Sequence, residues 1–140
     1  MHLNALVING AGIQRAGFIK MLQDARLAEF FFTEASSLGD ALTKIDPLKT
    51  DVIFIEWEMS MAVGLDFVHK VRQKQRRHIH IVVITTEGDM AKLEHTPDAS
   101  SADYFVLRPF TAKTLEQKLM SLTAKLSAAS KSAAGRGGAF

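Results

Sequence analysis

Short, dense apolar runs alternate along the chain with longer stretches in which apolar residues recur every three or four positions. Ala5–Asn9 (ALVIN), Glu29–Glu34 (EFFFTE), Asp51–Glu56 (DVIFIE), Ile79–Thr85 (IHIVVIT) and Asp103–Leu107 (DYFVL) read as five strands. Three of them are apolar almost throughout, the pattern of strands covered on both faces of a parallel sheet. Between them, Phe18, Met21, Leu22 and Ala25 share one helix face, as do Leu115, Leu119, Leu122 and Leu126 near the end. Strands alternating with helices make βαβ units with right-handed crossovers. The predicted fold is therefore α/β: a five-stranded parallel sheet in a doubly wound (βα)5 three-layer sandwich. From Ser127 the composition shifts to alanine, serine and lysine (SAASKSAAGRGGAF). That segment prolongs the last helix by a turn or two before Gly135 to Gly138 stop it and leave a flexible end. The expected division is a domain over residues 1–124, with a helix extension and tail over 125–140.

Composition narrows the chemistry. A length of 140 residues suits one domain, and 47% apolar with 23% charged residues is a soluble globular balance. The chain has no cysteine, which excludes disulfides, zinc–thiolate sites and thiol catalysis. A formal charge of +2 supplies no field that demands nucleic acid. No apolar run reaches membrane-spanning length, and the start (MHLNALVING) lacks the pattern of a signal peptide. A cytoplasmic protein without membrane insertion is expected.

In open α/β sheets, chemistry collects in the crevice beyond the C-terminal strand ends. Those ends carry Asn9 and Gly10, then Glu56, Thr85 and Arg108. The glycines after the first strand invite a nucleotide-binding reading, with Glu34 near the ribose-binding position. Both phosphate-loop templates fail, however. The third fingerprint glycine is Arg15, and Phe18 and Ile19 stand where a P-loop after Gly12 and Gly17 needs Lys and Ser/Thr. A nucleotide-binding α/β domain stays as the least favoured alternative.

At the strand ends the sequence resembles bacterial response-regulator receiver domains, over about residues 3 to 124. DVIFIEWEMSMAVG is similar to the family's phosphorylation-site strand and loop, with Glu56 in the place of the phospho-accepting aspartate, then Trp57, Glu58, Met59, Ser60 and a closing Gly64. VVITTEG resembles the switch-threonine strand, with Thr85 at the hydroxyl position. DYFVLRPF resembles the Lys-Pro-Phe segment, with Arg108 for the lysine, then Pro109 and Phe110, and Phe105 at the rotating aromatic. The family's acidic pair after the first strand is replaced by Asn9 and Gly10. The resemblance implies a flavodoxin-like sandwich that is not an enzyme but a two-component signalling module. Its departures imply a degenerate phospho-acceptor pocket.

Magnesium prefers near-octahedral oxygen ligands with one or two carboxylates. Asn9 offers one neutral oxygen and Gly10 none, so no metal or other cofactor is expected, and Mg2+ binding is disfavoured even with Glu56 and Glu58 present. Acyl-phosphate chemistry needs a carboxylate in line with the phosphodonor and cations to neutralise developing charge. Glu56 reaches about 1.5 Å beyond an aspartate. An arginine at position 108 suits a bidentate carboxylate contact better than lysine. A Glu56–Arg108 ion pair is predicted, with Thr85 Oγ as an optional third partner. Such a pair holds the switch elements in one arrangement, active-like or inactive-like, or it is a relic that merely neutralises two charges.

The resemblance places the switch and interaction surface on the fourth helix, fifth strand and fifth helix, with Phe105, Pro97, Pro109 and Phe110 as its markers. Pro97 interrupts the fourth crossover (EGDMAKLEHTPDASSADY), so a short, broken or displaced fourth helix is expected there. Trp57 covers the crevice loop or meets a partner, the former being preferred. The basic run from His69 to His80, with Lys70, Arg72, Lys74, Arg76 and Arg77, reads as a solvated helix C-terminus favoured by the macrodipole. His78 and His80 share a strand face without a third metal ligand.

The favoured function is a stand-alone pseudo-receiver: a phosphorylation-independent protein-interaction module in bacterial signalling. It acts on a protein partner and is open to homodimerisation through the same face. Nucleic acid is not an expected partner, and no output domain is expected. The first alternative is a residual phospho-acceptor response regulator.

Overall fold

The computed structural model describes residues 2–56, 61–86, 88 and 102–138, with side chains left out at 61–62 and 127–138. Five strands form one sheet: β1 (His2–Ile8), β2 (Glu29–Ala35), β3 (Val52–Glu56), β4 (His80–Thr86) and β5 (Tyr104–Arg108). All pairings are parallel, in the order β2-β1-β3-β4-β5. Among the described residues there are four helices: α1 (Gly12–Ala25), α2 (Leu38–Lys44), α3 (Met61–Lys74) and α4 (Ala112–Gly138). Helix α4 is the fifth helical stretch of the sequence pattern. The expected fourth helix and Pro97 lie outside the described residues, as do Trp57, Glu58, Met59 and Ser60.

Period-two alternation splits the core into two clusters, one on each face of the sheet. Leu6, Ile8, Ile53, Ile55, Ile81 and Val83 pack with Ala41 of α2 and Phe67, Val68 and Val71 of α3. Ala5, Val7, Val52, Phe54, Val82, Ile84 and Val106 pack on the other side with Leu22 of α1 and the leucine stripe of α4. All four leucines of that stripe, Leu115, Leu119, Leu122 and Leu126, are buried, as their spacing requires. The apolar runs of β3 and β4 are thus covered twice, which is why they show no polar alternation. The last helix runs on to Gly138 rather than ending a turn or two beyond Ser127. The alanine-rich composition offsets a glycine penalty of about 1 kcal/mol per residue.

The basic run is solvated only in part: His69, Lys70, Arg76, Arg77 and His78 are exposed, whereas Arg72 and Lys74 are half-buried, and several of these side chains are tied to neighbouring elements. Arg72 Nη2 lies 2.9 Å from Asp103 Oδ2, and its Nη1 donates to the Ile79 carbonyl at 2.6 Å. His78 Nε2 is 2.7 Å from the other Asp103 oxygen, and the Ile81 amide donates to Asp103 at 2.8 Å. Arg77 reaches Asp51 at 2.6 Å and the Leu48 carbonyl at 2.9 Å, while Asp51 also accepts from the Asn4 amide at 2.8 Å. Lys74 Nζ donates to the Leu42 carbonyl at 2.7 Å. The cations therefore lace the loops at the N-terminal end of the sheet, using the aspartates that precede β3 and β5. Spacing along one helix cannot reveal partners that come from other loops. The rings of His78 and His80 meet edge to face, 4.8 Å apart.

This clasp makes stability depend on pH. Burial pushes the half-buried His80 below its ordinary value of 6.5, against the pull of Asp103. Burial would raise Asp103, but the Ile81 amide and the hydrogen bonds from His78 and Arg72 hold it below its ordinary value of 3.8. Both folded values are depressed, so each contribution is complete above the unfolded pKa and is lost as pH falls through the folded one. We expect urea denaturation to show stability falling in two steps, one below about pH 6.5 and one below about pH 4. His80→Phe removes the first step. Asp103→Asn shrinks the second and costs on the order of 2 kcal/mol at pH 7.

Candidate functional site

Parallel register brings the ends of β1, β3 and β5 to the same edge of the sheet. β3 ends at Glu56 and β5 at Arg108, with Thr86 of β4 opposite Arg108. Strand β1 ends at Ile8, and Asn9 follows, its amide donating to the Ala35 carbonyl at 3.1 Å. Burial of the preceding strands leaves these terminal residues as the first side chains free to project beyond the core.

The Glu56 carboxylate is engaged from both sides. Asn9 Nδ2 donates to Glu56 Oε2, and Arg108 Nη1 donates to Glu56 Oε1. The pair is largely sheltered, with side-chain exposures of 12% for Glu56 and 25% for Arg108. Asn9 uses its other amide atom as well: Oδ1 accepts from the Ala11 amide at 2.8 Å. Ala11 has no capping side-chain atom, so Asn9 satisfies the backbone at the entry to α1. An aspartate here could accept from Ala11 but could not donate to Glu56.

The network continues toward β2. Arg15 Nη1 donates to the Asn9 carbonyl at 2.6 Å, and its Nε pairs with Glu34 at 2.9 Å. Charges thus alternate from Glu34 through Arg15 and Asn9 to Glu56 and Arg108. The chain of contacts crosses the sheet from one edge strand to the other. The sequence pattern marks Arg15 only as the residue that breaks the nucleotide fingerprint; its structural role needs the β1–β2 pairing that brings Glu34 within reach.

The predicted residues separate into three groups. Asn9, Glu56 and Arg108 meet. Gly10 lies beside them in a smaller depression of about 340 Å³ with Ser36, Ser37 and Val63. A Cβ on Gly10 would meet the Ser36 carbonyl at an ordinary 3.5 Å, so glycine is not demanded there by sterics. Thr85 is not a third partner of the ion pair. It is fully buried, its alternation places it with Val83 on the α2/α3 side, and among the described residues its hydroxyl has no hydrogen-bond partner. The hydroxyl-bearing residue at the crevice is its neighbour Thr86. One position along a strand reverses the face, and the terminal dipeptide Thr85–Thr86 does not disclose which one turns toward the site.

The proposed switch surface is also divided by the sheet. Phe105 is half-buried against the α2/α3 cluster. Pro109 and Phe110 lie on the opposite side, in the wall of a cavity of about 680 Å³ beside α1. The Arg108–Pro109 peptide is cis. Phe110 meets Phe18 edge to face at 6.1 Å. Among the described residues, no group of three His, Asp or Glu side chains could hold a metal ion.

Strand order 2-1-3-4-5, with a polar site beyond the C-terminal edge where the order reverses between β1 and β3, defines a flavodoxin-like α/β domain. Residues 5–120 match the model of the response regulator receiver domain, and the chain belongs to that family of two-component signalling domains. It is 39% identical to chemotaxis protein CheY1 of Helicobacter pylori over 88 residues, 61% of this chain and 70% of that protein. It is 30% identical to CheY-3 of Vibrio cholerae over 99 residues, 66% of this chain and 74% of the relative. Among solved structures, the chemotaxis response regulator CheY4 of Vibrio cholerae superposes with a TM-score of 0.70 at 26% identity, covering 86% of this chain and 98% of that one. The receiver domain of AraT from Geobacillus stearothermophilus shares the fold with a TM-score of 0.73 at 21% identity, covering 93% and 99%.

The buried hydroxyl of Thr85 makes a simple prediction. Leaving a hydroxyl unpartnered in the core costs about 1–3 kcal/mol. Thr85→Val, which keeps the shape, should raise unfolding free energy by about 1 kcal/mol or more in urea titration. The Glu56–Arg108 contact should be unaltered in that variant, as read from the guanidinium proton resonance of Arg108.

Proposed function

We propose that this receiver domain works without phosphorylation, as a protein-interaction module whose Glu56–Arg108 pair holds the crevice in one arrangement. The observation that carries this reading is the Glu56 carboxylate, whose two oxygens accept hydrogen bonds from Asn9 and Arg108. A phosphoryl acceptor must present a carboxylate oxygen to the incoming phosphorus. Here each oxygen already accepts a donor, which draws off electron density and fixes the direction of the lone pair left for attack.

The donor set argues in the same direction for magnesium. Asn9 turns an N–H toward Glu56, Gly10 has no side chain, and Glu56 is committed to a guanidinium. A hard dication would have to replace Arg108 at the carboxylate without a second described carboxylate beside it. These residues do not fit the ion, and the proposed mode of action does not use it. The pair itself neutralises the crevice and ties β3 to β5, where the family's signal would otherwise arise.

A protein partner is supported by exposed apolar side chains. Leu107 of β5 is 39% exposed and Met120 of α4 is 57% exposed. Among the described residues, no helix is long and apolar enough to cross a membrane.

Incubation with acetyl phosphate and magnesium, followed by intact-mass measurement, tests the proposal directly. The mass should stay unchanged under conditions that phosphorylate an aspartate-bearing receiver. A stoichiometric gain of one phosphoryl group on Glu56 would overturn it and establish the residual phospho-acceptor instead. Breaking the pair should be costly: Arg108→Ala strands a sheltered carboxylate, and we expect a loss of roughly 2–4 kcal/mol in urea denaturation. Glu56→Gln offers one acceptor oxygen where two donors converge and sets its NH2 group against one of them, so it too should lose stability in the same titration.

A further inference from the structure

The cavity beside the ion pair is the feature that the signalling role leaves unexplained. Its volume is about 680 Å³. Domain interiors are close-packed, whereas ligand sites span about 300–1,000 Å³. The walls are apolar below, with Phe18, Met21, Phe54, Ile84 and Phe110, and polar at the strand ends. Phe18 forms edge-to-face contacts with both Phe54, at 5.4 Å, and Phe110, at 6.1 Å, so the pocket has an aromatic wall.

Gly17 shows how the space is kept open. Gln14, Gly17, Phe18 and Met21 all line the cavity and follow helical spacing, so position 17 belongs to the stripe of α1 that faces it. Glycine inside a helix costs about 1 kcal/mol relative to alanine. No conformational need offsets that cost, because no described glycine has a positive φ. No close approach requires it either, since a Cβ on Gly17 would have nothing within 4 Å. A larger side chain at this position would stand in the cavity. Position 17 is exposed, so that space is the open mouth of the cavity, which the glycine leaves unobstructed.

The polar end supplies a preference for charge. Two guanidiniums, Arg15 and Arg108, line this end; each is already shared with a carboxylate, Arg15 with Glu34 and Arg108 with Glu56, so an anionic ligand would join existing pairs rather than meet an unbalanced charge. We propose that the cavity binds a small planar aromatic acid, its ring among Phe18, Phe54 and Phe110 and its anionic group at the Arg15–Arg108 end. Such a ligand would touch the Glu56–Arg108 pair and bias the crevice by binding rather than by phosphoryl transfer. The site stands on its own geometry and holds whether or not Glu56 accepts phosphate.

Anilinonaphthalene sulfonate, an aromatic anion, and phenylnaphthylamine, its uncharged counterpart, are suitable probes for fluorescence titration of the full chain. The wild type should bind the sulfonate saturably at one site and more tightly than the neutral probe. Gly17→Leu should fold, since leucine favours helix over glycine, and should weaken both probes about tenfold or more by filling the cavity. Arg15→Gln should weaken the sulfonate several-fold and the neutral probe much less, because it removes a cation from the polar end while leaving the aromatic wall; its contacts with Asn9 and Glu34 are lost in both titrations alike. Equal binding of both probes to wild type and Gly17→Leu overturns the site. An Arg15→Gln variant with unchanged sulfonate affinity overturns the assignment of an acid. Should Gly17→Leu fail to fold, amide shifts of the labelled wild type decide. Changes centred on residues 14–21 and 108–110 support the site, and changes centred elsewhere overturn it.

Discussion

One carboxylate organises the C-terminal edge of this sheet. Glu56 ends the central strand β3 and is held by a neutral donor on one side and a cation on the other. Its shelter makes that arrangement demanding. A sheltered charge needs both Coulombic and hydrogen-bond compensation, and removing one partner leaves the other uncompensated. The identities of Asn9 and Arg108 follow from this requirement. Asn9 must donate toward Glu56 and accept from the backbone of α1 at the same time, which an amide does and a carboxylate does not. Arg108 must reach across from β5, and its planar fork suits a carboxylate. The contacts of Arg15 with Asn9 and Glu34 extend the same compensation to the far strand.

The two ends of the sheet are built on one electrostatic plan with different consequences. At the N-terminal end, Asp51 and Asp103 gather Arg72 of α3, Arg77 and His78 of the loop that follows it, and backbone amides of β1 and β4. Those contacts close the molecule and leave titrating groups half-buried. At the C-terminal end, charges alternate across the strands beside an open cavity. The first arrangement stabilises the fold; the second keeps a surface on which binding events can act. Under the proposed reading, a receiver domain with its carboxylate so engaged would act through the exposed apolar residues of β5 and α4 or through the aromatic cavity under the ion pair.

Much of the fold was legible because burial on two faces imposes a continuous apolar run, and burial of one helix face imposes a stripe. The five strands, the leucine stripe of α4 and the placement of Glu56 and Arg108 at strand ends on one edge of the sheet all follow from those patterns. What those patterns left open shares a cause. Much of the basic run from His69 to His80 is exposed, as its pattern suggests, yet Arg72 and Arg77 bind the aspartates that precede β5 and β3, and Lys74 binds a carbonyl of α2. Thr85 was placed at the ion pair, yet strand alternation turns Thr86 to the crevice. Phe105 and Phe110 flank the edge strand β5 on its two sides, a division that the segment by itself does not show. In each case the residue type was informative and its direction was not.

The sequence alone determined which segments are strands and helices, that the sheet is parallel and doubly covered, and which residues arrive at its C-terminal edge. These depend on periodicity and on local chain geometry. Tertiary structure alone decided that Arg15 reaches Glu34, that Asn9 bridges α1 to Glu56, and that Gly17 faces open volume rather than a packed neighbour. Those outcomes depend on distances between side chains from different elements. Such distances are set by the register of the strands and the seating of the helices, and no single segment encodes them.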